Sequence, residues 1–205
     1  MSESTKPQPS PYNLANALTM LRIVLIPVFV WVLFAHPHDL TWRIWATATF
    51  IVAILTDLAD GQIARRYNLI TDFGKLWDSI ADKALTGAAF VGLSILGELP
   101  WWITVVVLAR ESGITLMRLA VLKYGVMAAR WGGKWKTVLQ SIALPMFLLY
   151  LPAMPAWFGV LAWIVMVAAV LLTVATAVDY VLEAIKLRNR ALAAPDSQKE
   201  PNKEG

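Results

Sequence analysis

The chain has 205 residues, 58% hydrophobic and only 16% charged, with a formal net charge of +4. That balance, with a mean hydropathy of +0.59, excludes an ordinary soluble domain and points to a polytopic helical membrane protein. No cysteine is present, which removes disulfides, thiolate metal sites and cysteine nucleophiles.

Residues 1–12 form a polar, Pro-rich tail whose only basic residue is Lys6, and the apolar run that follows has no small-residue cleavage site. The segment therefore does not read as a cleaved signal. Six apolar spans follow, at about 17–34, 43–58, 80–97, 101–121, 137–153 and 157–182, near the length needed to cross a bilayer. The runs are uninterrupted and do not alternate with period two, so they predict helices and not a barrel. The expected architecture is all-α and integral to the membrane: six transmembrane helices around a cytoplasm-facing polar cavity, formed by one domain over 13–190. Residues 191–205 are polar and expected to be disordered.

Loop charge alternates along the chain. Lys6, then Arg65, Arg66, Lys75 and Lys83, then Lys123, Arg130, Lys134 and Lys136, then Lys186, Arg188 and Arg190 fall on one side. The other side has Arg43 as its only cation, with Asp39 and Glu98 nearby. This asymmetry predicts that both termini lie in the cytoplasm of a cell (inner or plasma) membrane. The basic face suits anionic headgroups and phosphorylated substrates; no nucleic-acid partner is expected. His36 and His38 share a short loop with Pro37 and Asp39, which reads as solvated and not as a zinc site. Trp42, Trp45, Trp101, Trp102 and Trp157 flank the outer helix ends, where an indole anchors at headgroup level.

The chemistry concentrates between the second and third spans, in the pattern Asp57-x2-Asp60-Gly61-x2-Ala64-Arg65-x8-Gly74-x3-Asp78-x3-Asp82. One charge at the bilayer centre costs roughly 2.5–3.5 kcal/mol on insertion scales, so four converging acids need a compensating positive charge. Asp57 and Asp60, three apart, share one helix face; Asp78 and Asp82, four apart, share another. Two such pairs facing each other offer oxygen ligands for two hard divalent cations of the kind that clamp a phosphoryl displacement. Gly61 permits close backbone approach, Gly74 close helix packing, and Ala64 keeps the wall thin. Arg65 is placed to meet a phosphate or balance the acids. Asp72 reads as a cap or a solvated charge. EF-hand, Walker and zincin patterns are absent.

The same pattern is the signature of the CDP-alcohol phosphatidyltransferases, which this chain resembles from Asp60 to Asp82, with a further leading acid at Asp57. The resemblance implies six transmembrane helices, a homodimer and a magnesium- or manganese-dependent site open to the cytoplasm. It implies that Asp57, Asp60, Asp78 and Asp82 bind two metal ions and that Asp82 also serves as general base. Gly61, Ala64, Arg65 and Gly74 resemble the segment that binds the CDP-lipid. The implied reaction is attack by an acceptor hydroxyl on the phosphorus next to diacylglycerol in CDP-diacylglycerol, with release of CMP.

Other segments resemble the branch of that family whose acceptor is glycerol 3-phosphate. These are Asn13 to Thr19 with Arg22 and Pro27, Ala109-Arg110-Glu111 with Ile114, Thr115 and Arg118, Gly125 to Ala129, Gly133-Lys134-x-Lys136-Thr137 with Gln140, and Asp179-Tyr180. One departure is Ser112-Gly113, where that branch usually has a bulky aliphatic residue. Arg110 and Arg118 lie a little over two turns apart, near one helix face. With Lys134 and Lys136 they are expected to hold the acceptor phosphate, while Thr19 and Arg22 line the cavity from the first helix. A basic cavity favours a phosphorylated small acceptor over phosphatidylglycerol, as in a cardiolipin synthase; inositol phosphate is the other phosphorylated alternative. A divalent-cation transporter would spread its acids through several helices and would not need the Gly-x2-Ala-Arg element. A catalytically dead scaffold is at odds with the intact acids.

Overall fold

The computed structural model describes residues 14–66, 72–121 and 131–193. These residues form six α-helices and no strand: α1 (Leu14–Ala35), α2 (Leu40–Arg66), α3 (Asp72–Ile95), α4 (Trp101–Val121), α5 (Trp131–Leu148) and α6 (Ala156–Ala193). Three of them contain a stretch long and apolar enough to cross a membrane, at Ala17–Ala35, Leu40–Gln62 and Ala156–Asn189. The other three, α3, α4 and α5, contribute Asp78, Asp82, Lys83, Arg110, Glu111 and Lys136 to the polar groups described below.

Local chemistry sets the helix ends. Asp39 caps α2, its Oδ1 accepting from the backbone N–H of Thr41 at 2.8 Å and Trp42 at 3.1 Å. Beyond α3 the chain reverses at Gly97, whose φ of 74° lies in the left-handed region. The Glu98 N–H then bonds back to the Leu93 carbonyl at 3.0 Å. The fifth apolar span, expected to reach residue 153, is helical only to Leu148. Tyr150 adopts φ 60°, and Leu151–Ala153 form a short 3₁₀ turn containing Pro152. A tyrosine in the left-handed region and a proline that cannot donate end the α-helix there. The last helix runs 38 residues, on the order of 57 Å at the usual helical rise, so it outlasts a hydrocarbon core of about 30 Å.

α1 packs mainly on α2, and α5 on α6, with α3 against α1 and α4 against α6. The core is a set of fully buried Phe29, Phe50, Phe90 and Phe147 with Leu33, Leu93 and Leu144. Buried alanines such as Ala46, Ala53, Ala89 and Ala143 bring helix backbones together without gaps. Gly92 does the same between α3 and α1, since a Cβ there would stand 2.7 Å from Leu33 Cδ2. The perimeter is apolar instead: Trp31, Leu55, Val105, Leu116, Ile164 and Leu171 are all exposed, as a lipid-facing surface requires.

Arg43, from α2, is wholly buried at the end of the bundle that carries the α1–α2 turn. Its guanidinium grips Glu98 with two bonds, Nη1–Oε1 at 2.9 Å and Nη2–Oε2 at 2.5 Å. It also donates to the carbonyls of Leu148 at 2.8 Å and Phe147 at 3.1 Å and lies 5.7 Å from the Tyr150 ring centre. His36 and His38 are exposed in that turn, against the rings of Trp42 and Tyr150 respectively.

Candidate active site

At the opposite end of α2 the four acids gather from two helices. Asp60 is buried, Asp57 and Asp78 are half-buried and Asp82 is exposed. Their charges act on one another: Asp57 feels Asp78 and Asp82, and Asp60 feels Asp57 and Asp78. The compensating charge is supplied by α1. Arg22, fully buried, makes an ion pair with Asp57 Oδ1 at 2.6 Å through Nη1 and a hydrogen-bonded ion pair with Asp60 through Nη2. The Asp57 contact is close but lies outside hydrogen-bond angles, and Arg22 Nε is buried without an acceptor among the described residues. Three residues earlier on the same helix, Thr19 donates to Asp78 Oδ1 at 2.5 Å. The i, i+3 spacing of Thr19 and Arg22 thus ties α1 to both acid pairs.

A cavity of about 400 Å3 opens beside the acids. Arg22, Asp57 and Asp82 line it together with Lys83, Glu111 and Lys136. Lys136, almost completely buried, is ion-paired with Glu111. Arg110 Nη1 stands 3.6 Å from the same Glu111 Oε1, while Nη2 donates to Thr176 at 3.0 Å. The Arg110 guanidinium also lies 5.8 Å from the Tyr180 ring centre. Lys83 donates to Thr115 at 2.8 Å, joining α3 to α4. Arg22, Lys83 and Lys136 are the cations whose fields reach Asp82.

Of the residues expected from sequence at the acceptor phosphate, Arg110 and Lys136 come together around Glu111. Thr19 and Arg22 reach the carboxylates, and Arg22 lines the cavity as well. Gly61 continues α2 directly after Asp60 and is half-buried. The side chains of Ala64, Arg65, Arg118 and Lys134, and the surroundings of Gly74, lie outside the described residues. Ser112, at the departure from the usual pattern, lines the cavity, and Gly113 faces open space.

Sequence reasoning missed three contributions. Lys83 reads from sequence as a topology marker, although its place next to Asp82 puts it near the acids and it lines the cavity. Glu111, named only within the Ala109-Arg110-Glu111 segment, pairs with a lysine from α5 and stands near Arg110 as well. Thr173 and Thr176 escaped notice in the most apolar helix. Their spacing of three was the available signal: Thr173 receives Gln140 at 3.4 Å and Thr176 receives Arg110.

Carboxylate oxygens alone form a donor set suited to Mg2+ or Mn2+. Among the described residues, no group of three or more acidic or histidine side chains stands placed to hold one ion. In this arrangement the positive charge at Asp57 and Asp60 is Arg22. The donor chemistry fits a hard cation.

Residues 12–175 match the family described as CDP-alcohol phosphatidyltransferase. The chain is 50% identical over 175 residues to a probable phosphatidylglycerophosphate synthase of Mycobacterium tuberculosis, covering 85% of this chain and 82% of that protein. It is 38% identical over 153 residues to the CDP-diacylglycerol–glycerol-3-phosphate 3-phosphatidyltransferase of Bacillus subtilis, covering 68% and 78%. The enzyme of that name from Escherichia coli is 39% identical over 140 residues, covering 65% and 75%. The four-acid pattern, the helical architecture and these likenesses agree: the chain belongs to the CDP-alcohol phosphatidyltransferase family of transferases.

Proposed function

We propose that this chain is a phosphatidylglycerophosphate synthase, which transfers the phosphatidyl group of CDP-diacylglycerol to glycerol 3-phosphate and releases CMP. The observation that carries the reading is the cavity lined by Asp57 of α2, Asp82 of α3 and Lys136 of α5, with Arg110 of α4 beside the cavity-lining Glu111. Half-identity to a probable enzyme of that name supports it. The six helices are read as six membrane spans, with the cavity, both termini and the basic loops on the cytoplasmic side of the inner membrane, and the enzyme as a homodimer.

Asp57, Asp60, Asp78 and Asp82 would hold two divalent cations, which when bound neutralise the pyrophosphate of the donor. Asp82 faces the cavity and takes the proton from the acceptor hydroxyl. The hydroxyl oxygen forms a bond to the phosphorus that bears diacylglycerol, and the bond from that phosphorus to the CMP oxygen breaks. Arg22 and Thr19 fix the carboxylates that surround this step, and Arg22 is near enough to the cavity to meet a phosphate too. Lys136 and Arg110, joined by Arg118 and Lys134, hold the acceptor phosphate, and Gly61, Ala64, Arg65 and Gly74 form the CDP-lipid wall.

The test is CMP release by purified protein given CDP-diacylglycerol and, separately, glycerol 3-phosphate, inositol phosphate or phosphatidylglycerol. Turnover with glycerol 3-phosphate well above the others is expected. Activity with phosphatidylglycerol and none with glycerol 3-phosphate would replace this reading by a cardiolipin synthase.

A further inference from the structure

The charge of Lys136, which lines the cavity, is already neutralised from within. Lys136 is 4% exposed, so its ammonium has little water to solvate it and needs an anion. Glu111 supplies that anion, and the same Oε1 stands 3.6 Å from Arg110. One carboxylate therefore sits between a lysine and an arginine that come from different helices, α5 and α4. This is also how a bound phosphate would be held, by a point-charge ammonium and a forked guanidinium. Glu111 remains 27% exposed at its side chain and lines the cavity, so it can turn away from the pair without leaving water entirely. Arg110 has other anchors that would keep it in place meanwhile, Thr176 and the Tyr180 ring. Lys136 feels the repulsion of Arg110 more than the attraction of Asp82, so the pair needs an anion between them.

We propose that Glu111 is a specificity-determining stand-in for the acceptor's phosphate: it occupies the Lys136–Arg110 cradle in the empty enzyme and must be displaced by an incoming dianion. This rests on the reading that the cradle receives the acceptor phosphate. The physical consequence is a threshold. A neutral alcohol cannot break the Glu111 ion pairs, because it offers buried Lys136 and half-buried Arg110 no replacement charge. A phosphate can, but its apparent affinity is lowered by the work of displacing the carboxylate and by repulsion from it.

The experiment compares full-length wild-type protein with Glu111→Gln, Glu111→Asp and Lys136→Met in detergent micelles. It measures KM separately for glycerol 3-phosphate and CDP-diacylglycerol, with inorganic phosphate as a competitive inhibitor against glycerol 3-phosphate. Glu111→Gln removes the competing charge while keeping the shape. The KM for glycerol 3-phosphate and the Ki for phosphate are both expected to fall about fivefold, with KM for the donor unchanged within about twofold. Glu111→Asp, which keeps the charge but draws it back, is expected to move both constants the same way by less, and it carries the test if the glutamine variant does not fold. An unchanged or raised acceptor KM in the substituted enzyme overturns the proposal and makes Glu111 an ordinary orienting partner. Lys136→Met separates the two levels. If it raises the acceptor KM while Glu111→Gln does not lower it, only the stand-in role fails; if it leaves the acceptor KM alone, the cradle itself is not the acceptor site.

Discussion

Two arginines, Arg22 and Arg43, are fully buried near opposite ends of the same helical bundle, and their surroundings differ in kind. Arg43 is saturated: a bidentate glutamate, three backbone carbonyls and an aromatic face account for its guanidinium. Arg22 meets two aspartates, one outside hydrogen-bond angles, and leaves Nε without an acceptor among the described residues. A charge held only for stability collects every bond the fold can provide. A charge that serves chemistry shares its site with groups that must also bind something else. The contrast separates a lock, which fastens α2, α5 and the α3–α4 turn, from the proposed active centre over α1, α2 and α3.

The sharpest break between the ends lies in turnover. Asp82→Asn, at the active end, is expected to lower kcat by about 10²–10⁴ while sparing much CDP-diacylglycerol binding, as loss of a general base should. Wild-type turnover in that variant rules out its role as base. Chelation of divalent metal is expected to abolish CMP release, with recovery on adding Mg2+ or Mn2+; undiminished release in chelator would remove the metals from the account. At the other end, Arg43→Met strands Glu98, and a loss of about 3–5 kcal/mol is expected from breaking a buried pair on one side. Thermal unfolding should show it as a lower Tm, with turnover per folded molecule retained. Gly97→Ala is the gentlest probe of that lock: forcing a Cβ into the left-handed region costs roughly 1 kcal/mol and perturbs the turn that presents Glu98. A small drop in Tm with unchanged kcat is the expected result, and a kinetic defect would show that the two ends are coupled.

The helices and the gathering of the acids at one end were legible because hydrophobic runs and a fixed motif depend on spacing along the chain. Asp57, Asp60, Asp78 and Asp82 lie within one segment, and helical periodicity alone puts each pair on a face. Partners separated by many residues were not legible. Thr19 meets Asp78 across 59 positions, and Arg43 reaches Leu148 across 105. No local pattern encodes such contacts; they follow from how α1 and α5 pack onto α2 and α3. Arg43 read as a topology marker because its charge was visible and its burial was not. The end of α5 was misjudged for a related reason, since the run through Leu148 to Ala153 stays apolar while Tyr150 turns the backbone.

The division of labour between the two buried arginines is tested most directly by making Arg22→Lys and Arg43→Lys and measuring kcat and Tm for both. Each keeps its positive charge, so the substitutions probe geometry and not net charge. The account expects Arg22→Lys to lose at least about tenfold in kcat with the smaller fall in Tm, because the aspartates lose a fork but keep a cation. It expects Arg43→Lys to show the larger fall in Tm with kcat of the folded enzyme held within about twofold, since Glu98 and the carbonyls lose most of their bonds. Wild-type kcat in Arg22→Lys, or a kinetic collapse in folded Arg43→Lys, would contradict it.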